Sequence, residues 1–255
     1  MSTIPATQPV SPATKMITRL LSSALFAGIA GGLIVALLHV FLLSPVIIEA
    51  EEYESGNKYH FAGVLEGADP GHHDTMEEAS DGHQHDATEE SWAARSLRTG
   101  LSSVLTTLGF AFMLIAGFAI AERNGIVVTA RSGVLWGLGG FAAFHLATSF
   151  GLPPELPGSS AAMLEQRQFW WLGTAIATIF GLASIAFGKN WLHWGVGIVL
   201  VALPHIIGAP HPHSFGGVVP PELQGEFVSL SLGVAAIGWA TLGLLAGFMW
   251  ARQAD

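Results

Sequence analysis

The 255-residue chain is 51% hydrophobic and only 11% charged, where an average soluble domain carries about 25% charged residues. That is too little charge to clothe a soluble fold, and a net charge of −9 with no basic patch argues against nucleic-acid binding. The absence of cysteine removes disulfides, thiolate metal sites, iron–sulfur clusters and Cys nucleophiles.

Residues 1–14 are rich in Ser, Thr and Pro, and the stretch 1–19 reads as a disordered cytoplasmic tail. Six apolar segments follow, at 20–43, 101–121, 133–151, 169–188, 191–209 and 227–250. Each approaches the roughly 20 residues that a helix needs to cross a bilayer. The first is too long for the core of a secretory signal, and no small-residue cleavage site follows it. Only Lys189 and Asn190 separate the fourth from the fifth, so they form a tight helical hairpin or one of them is re-entrant, with a count of five spans as the alternative to six. The expected fold is an all-α integral membrane bundle, one unit over residues 20–255.

Charge sets the expected orientation. With six spans, one side holds Lys15, Arg19, Arg123, Arg131, Lys189 and Arg252, six of the ten basic residues, but only Glu122 and Asp255 of the nineteen acids. Basic residues near span ends favour the cytoplasm, so both termini are expected there. The one extended polar segment, 44–98, then lies outside. From Glu49 to Glu90 it has thirteen acids against a single Lys, a composition that cannot bury a core.

Three of the segments share their punctuation. The third runs into GLPPELPG (151–158) and the fifth into VVPPELQG (218–225), each preceded by a histidine, His145 and His205. The first carries His39, Pro45 and Glu49 in the same order. His39 to Glu49 and His145 to Glu155 both span ten residues; His205 to Glu222 spans seventeen, consistent with a seven-residue insertion carrying His211 and His213. Gly31, Gly137 and Gly197 each lie eight residues before their histidine, about two helical turns, and so on its face. Three parallel helix–loop–helix repeats are the expectation, with glycines where helix backbones approach.

Ionisable side chains inside spans are costly and mark functional paths. His39, His145 and His205, with Glu49, Glu155 and Glu222 at the helix exits, form a nitrogen and carboxylate set suited to Zn²⁺, Ni²⁺, Co²⁺ or Mn²⁺. The outer loop adds His60, His72, His73, His83 and His85 among Asp69, Asp74, Asp81 and Asp86, clearest in GHHD and DGHQHD. Such tracts capture divalent metal weakly and with many geometries. Neither a phosphate-binding GxxxxGK[ST] loop nor an HExxH helix is present, so no ATP site and no zinc-protease chemistry is expected in this chain. Ser102, Ser103 and Thr106 read as helix-packing hydroxyls. Trp170 and Trp171 read as an interfacial pair.

Five pieces together resemble the CbtA family of predicted cobalt-transporter subunits: His39 with SPVIIEAE (44–51), the His-rich loop, FAAFHLATSFGLPPELPG (141–158), FWWLGTA (169–175) and LPHIIGAP (203–210). The resemblance implies a multi-pass subunit of the bacterial cytoplasmic membrane, not an enzyme. It implies cobalt(II) as the transported ion, cobalamin synthesis as its destination, and a small single-span His-motif partner like CbtB. A homo-oligomer is compatible with the sequence. Two other classes stand beside this reading: a haem-binding membrane electron carrier using span histidines, and a non-transporting metal-sensing scaffold subunit.

Overall fold

The computed structural model describes residues 11–60, 91–214 and 216–253, and the described residues are helical apart from their connections. Helix α1 (Pro12–Leu38) passes through a π turn (His39–Leu43) into α2 (Ser44–Glu54). Helix α3 is Trp92–Arg123. Helix α4 (Ala130–Phe141) likewise runs through a π turn (Ala142–Leu146) into the short α5 (Ala147–Ser149). Helices α6 (Leu164–Phe187), α7 (Trp191–Ile207) and α8 (Pro221–Arg252) complete the bundle. Among the described residues, four helices are long and apolar enough to cross a membrane: Ala13–Glu54, Trp92–Arg123, Leu164–Phe187 and Pro221–Arg252; Trp191–Ile207 is a shorter apolar helix.

Both ends of the first span differ from the sequence expectation. The helix begins at Pro12, inside the stretch expected to be a tail, because the Ser11 side chain accepts a hydrogen bond from the Thr14 N–H and Pro12 fits the first helical position. At the other end, the chain does not leave the helix at Ser44. The π turn shifts the hydrogen-bond register just before Pro45, which has no N–H to give, and the Ser44 N–H bonds the His39 carbonyl. The helix then continues, burying Val46 and Ala50 while Glu49 and Glu54 are exposed. The polar segment expected over 44–98 is thus helical at both of its ends.

Glycine decides which helices touch. On α4 and α8, Gly133 and Gly137 face Gly243 and Gly247 so closely that a methyl group on Gly133, Gly137 or Gly243 would overlap the opposite backbone carbonyl. This is the small-xxx-small packing that membrane helices use in place of a hydrophobic driving force. On α1 the close glycines are Gly28 and Gly32, whose added methyl groups would stand 2.7 Å from the α-carbons of Leu108 and Val104 on α3. Gly31 has ordinary room, 3.7 Å from Leu242. Gly197 meets the carbonyl of Gly181 across the α6–α7 hairpin, the tight pair expected from the two-residue break. The main pairs are α1 with α3 and α8, α4 with α8, and α6 with α7. Only the first matches the consecutive pairing a threefold helix–loop–helix repeat would suggest.

Two apolar clusters stack along the bundle. The first holds Ala24, Ala111, Ile115, Phe118, Leu242 and Trp250, toward the end where α1 begins and α8 ends; the second holds Leu43, Val46, Leu156, Val219, Phe227 and Val234 at the opposite end. There the two PPEL loops are stitched together. The Gln224 side chain donates to the Pro154 carbonyl at 2.8 Å and accepts from the Leu156 N–H at 3.1 Å, and Ser159 bridges to Gly217.

Candidate metal-ion cavity

Between the two clusters lies a cavity of about 660 Å³, bounded by α1, α3, α8 and the second π turn. His39 and His145 both line it. Each stands on or in a π turn, where the backbone is rotated relative to a regular helix; such turns recur at functional sites. Along α3 the wall is a stripe of hydroxyls, Thr99, Ser102, Ser103, Thr106 and Thr107. Spacings of three and four put these on one face. Arg98 lines the same cavity. Toward the termini, the fully buried Ile115, Phe118 and Trp250 lie beyond it.

The two histidines are held differently. His39 Nδ1 lies 3.0 Å from Ser103 Oγ, and that hydroxyl in turn donates to the Thr99 carbonyl at 2.8 Å. His145 Nδ1 accepts from the Trp239 indole N–H at 3.1 Å. Phe141 stacks on the His145 ring at 6.3 Å, while Phe110 and Trp239 meet it edge-on at 6.4 and 6.3 Å. The indole can lie there because Gly140, one turn before Phe144, leaves room where any side chain would strike the Trp239 ring.

His205 is elsewhere. It lines a second cavity of about 500 Å³ with Ala142, Leu146, Phe150 and Thr178, across the π turn from the first. Its ring meets Phe150 at 5.3 Å and Trp170 at 6.0 Å, and Pro204 lies inside the helix just before it. The Trp170 N–H bonds the Pro204 carbonyl at 3.2 Å, so this indole secures helix packing as well as any interface. The expected carboxylates also stand apart. Glu49 is exposed 3.6 Å from Lys58, Glu155 pairs with Arg167 at 2.7 Å, and Glu222 is exposed in the first turn of α8. Lys58 sits 2.6 Å from Glu52, a hydrogen bond that holds its pKa above the ordinary lysine value.

The six residues expected to converge therefore do not. Among the described residues no three His, Asp or Glu side chains gather to hold a metal. Equal spacing along three helices fixes depth, but each helix is rotated by its own neighbours: the Gly137 face turns toward α8, whereas the Gly197 face turns toward α6. Of the loop histidines, His60 is described; His72, His73, His83, His85, Asp74 and Asp86 lie outside the described residues. Trp239, which holds His145, carried no metal-site signal in the sequence. The α3 hydroxyl stripe did carry one, since five Ser and Thr at helical spacing on an otherwise apolar span mark a polar wall.

At the end where α1 begins and α8 ends, a polar clamp joins three helices. Arg19 donates to both Glu122 oxygens, at 2.9 and 3.2 Å, and to the Trp250 carbonyl at 3.1 and 2.8 Å, with its guanidinium 3.9 Å above the Trp250 ring. Gln253 adds bonds to Ser22 and Ser23.

No curated protein and no solved structure matches the chain. The family model described as "probable cobalt transporter subunit (CbtA)" matches residues 17–251. The matched span runs from within α1 to the last turn of α8 and takes in both cavities, and the chain belongs to the CbtA family of probable cobalt transporter subunits.

Proposed function

We propose that this chain is the permease subunit for divalent cobalt uptake, with the cavity between His39 and His145 as the ion's station in the bundle. The observation that carries the reading is that two span histidines from separate elements, both at π turns, line one cavity in a chain of a cobalt-transporter family. Imidazole nitrogen and hydroxyl oxygen suit a transition-metal ion still holding part of its water shell. A site with few protein ligands releases its ion readily, and conduction needs binding weak enough to let go.

In this reading the chain spans the membrane six times, counting the α4–α5 stretch and α7, with both termini in the cytoplasm of a bacterial inner membrane. The charge asymmetry of the loops supports this orientation. The cavity then lies toward the outside, where the acidic, His-rich segment 44–98 raises local Co²⁺ concentration without forming the path. His205, Glu49, Glu155 and Glu222 lie outside the cavity and are assigned to entry or to structure. A small His-motif subunit like CbtB is the expected partner, and cobalamin synthesis the expected use. The three repeats supply the common helix-end punctuation, not a shared ligand set.

The test is ⁵⁷Co²⁺ uptake in cells whose own copy is deleted and replaced by variants of equal membrane abundance. His39→Gln should lower uptake at limiting cobalt by about tenfold or more, a typical penalty for disturbing metal coordination. His205→Gln should lower it much less. Uptake indifferent to His39→Gln would overturn the proposed station.

A further inference from the structure

The hydrogen-bond partners of the two cavity histidines fix where their protons sit. Ser103 Oγ has one proton, and it is spent on the Thr99 carbonyl, which can only accept. With its proton on Thr99 the hydroxyl accepts toward His39, an arrangement that puts the His39 proton on Nδ1. A neutral His39 then presents a bare lone pair on Nε2. The partner of His145 imposes the opposite. An indole N–H donates and cannot accept, so Nδ1 of His145 carries no proton. Its proton is on Nε2.

Resting on the cobalt-permease reading above, we propose that Trp239 is a positioning residue that keeps His145 from ligating the ion through Nε2, leaving His39 as the cavity's imidazole ligand. A histidine that binds metal through one nitrogen ordinarily donates the proton on its other nitrogen to a carbonyl, carboxylate or water. His39 has this arrangement, with Ser103 as acceptor. For His145 to ligate through Nε2, its proton would move to Nδ1 and confront the indole N–H, donor against donor. The Nε2–H of His145 instead offers a hydrogen bond to water or to an anionic group accompanying the ion.

The indole's place is built into the helix pair. Gly140 clears its site, and the Gly137–Gly243 contact brings α8 close enough for the indole nitrogen to reach His145. Trp239 is nearly fully buried, so water does not compete freely for its N–H. A second imidazole would hold the ion more tightly and slow its departure; the indole bond removes that option without removing the histidine.

The experiment uses the full chain in lipid nanodiscs. With ¹⁵N-histidine labelling, and assignment by His39→Gln and His145→Gln, NMR of the metal-free protein should find the proton on Nδ1 of His39 and on Nε2 of His145. Co²⁺ alone is then titrated into wild type, Trp239→Phe and Trp239→Phe/His145→Gln. Trp239→Phe should bind Co²⁺ about tenfold tighter or more, and uptake should saturate at lower cobalt with a lower maximum. The double variant should return to wild-type affinity. A proton on Nδ1 of His145, or unchanged affinity in Trp239→Phe, overturns the proposal. The NMR measurement does not use Trp239→Phe, so it decides even where that variant fails to fold. If His39→Gln leaves Co²⁺ binding and uptake at wild-type levels, the permease station itself falls, an outcome separate from the proton assignment.

Discussion

Gly137 and Gly139 lie two residues apart on α4, and alanine should act on them in opposite directions. Replacing a helical glycine by alanine gains about 0.5–1 kcal/mol from backbone entropy and propensity. At Gly139 nothing lies within 4 Å of the new methyl group, so that gain stands alone. At Gly137 the methyl group would overlap the Trp239 carbonyl and stand 3.1 Å from the α-carbon of Gly243. These are backbone atoms in the middle of an apposed helix, and no rotamer change relieves the contact. Overpacking a fitted interface costs about 1–3 kcal/mol, so Gly137→Ala should be net destabilising by about 1–2 kcal/mol. For a chain of this size each kcal/mol moves the thermal midpoint by about 2–4 °C. Melting of the purified protein in detergent should show Gly139→Ala unchanged or slightly raised, and Gly137→Ala lowered by several degrees. Because α8 must move away to admit the methyl group, Gly137→Ala should also disturb the Trp239–His145 bond and alter cobalt uptake, whereas Gly139→Ala should transport normally. Equal melting shifts for the two variants, or normal transport in a destabilised Gly137→Ala, would refute the claim that this contact sets the site.

Glu122→Gln keeps an acceptor for Arg19 but removes its charge; with Glu122 38% exposed and Arg19 13% exposed, solvent screens part of the loss, and thermal melts should register about 1 kcal/mol. Arg19→Met leaves the carboxylate and the Trp250 carbonyl without their partner and should cost clearly more, so equal shifts would show that the clamp does not hold α1 to α3 and α8. Deleting residues 69–86 should reduce uptake at low cobalt and spare it at saturating cobalt, since a capture segment acts through local concentration; loss at both concentrations, with normal insertion, would place the segment on the path.

The apolar segments of the bundle were legible because hydrophobic length is a one-dimensional signal. The break at Lys189 and Asn190 likewise announced the α6–α7 hairpin. Boundaries were less legible: Ser44-Pro45 reads as a helix exit, but a π turn lets the helix absorb the proline. The histidines were visible as candidates, and their grouping was not. Grouping depends on how each helix is rotated about its axis, and that rotation follows from glycine contacts between partners distant in sequence, such as Gly137 with Gly243. The Gly31, Gly137 and Gly197 register shows the limit. Gly137 and Gly197 sit at close backbone contacts, whereas on α1 that task falls to Gly28 and Gly32.

Selectivity for cobalt is the point at which ligand chemistry alone gives out. Ni²⁺ and Cu²⁺ bind nitrogen and oxygen donors more tightly than Co²⁺, so every imidazole added to the cavity would favour the wrong ions along with the right one. A station that relied on affinity would fill with its competitors and release them slowly. The cavity's lining runs the other way: two histidines, each hydrogen-bonded through Nδ1, hydroxyls along α3, and no carboxylate among the lining residues. As the proposed ion station, such a lining would discriminate through shape and water-shell geometry, and would pass ions on because it holds them loosely. On this argument a variant that tightens the cavity, as Trp239→Phe does by freeing His145, should lose discrimination as it gains affinity. Competition of Ni²⁺ against ⁵⁷Co²⁺ uptake measures this directly. Stronger inhibition by Ni²⁺ in Trp239→Phe than in wild type is the expected result, and equal inhibition would mean that selectivity is set outside this cavity.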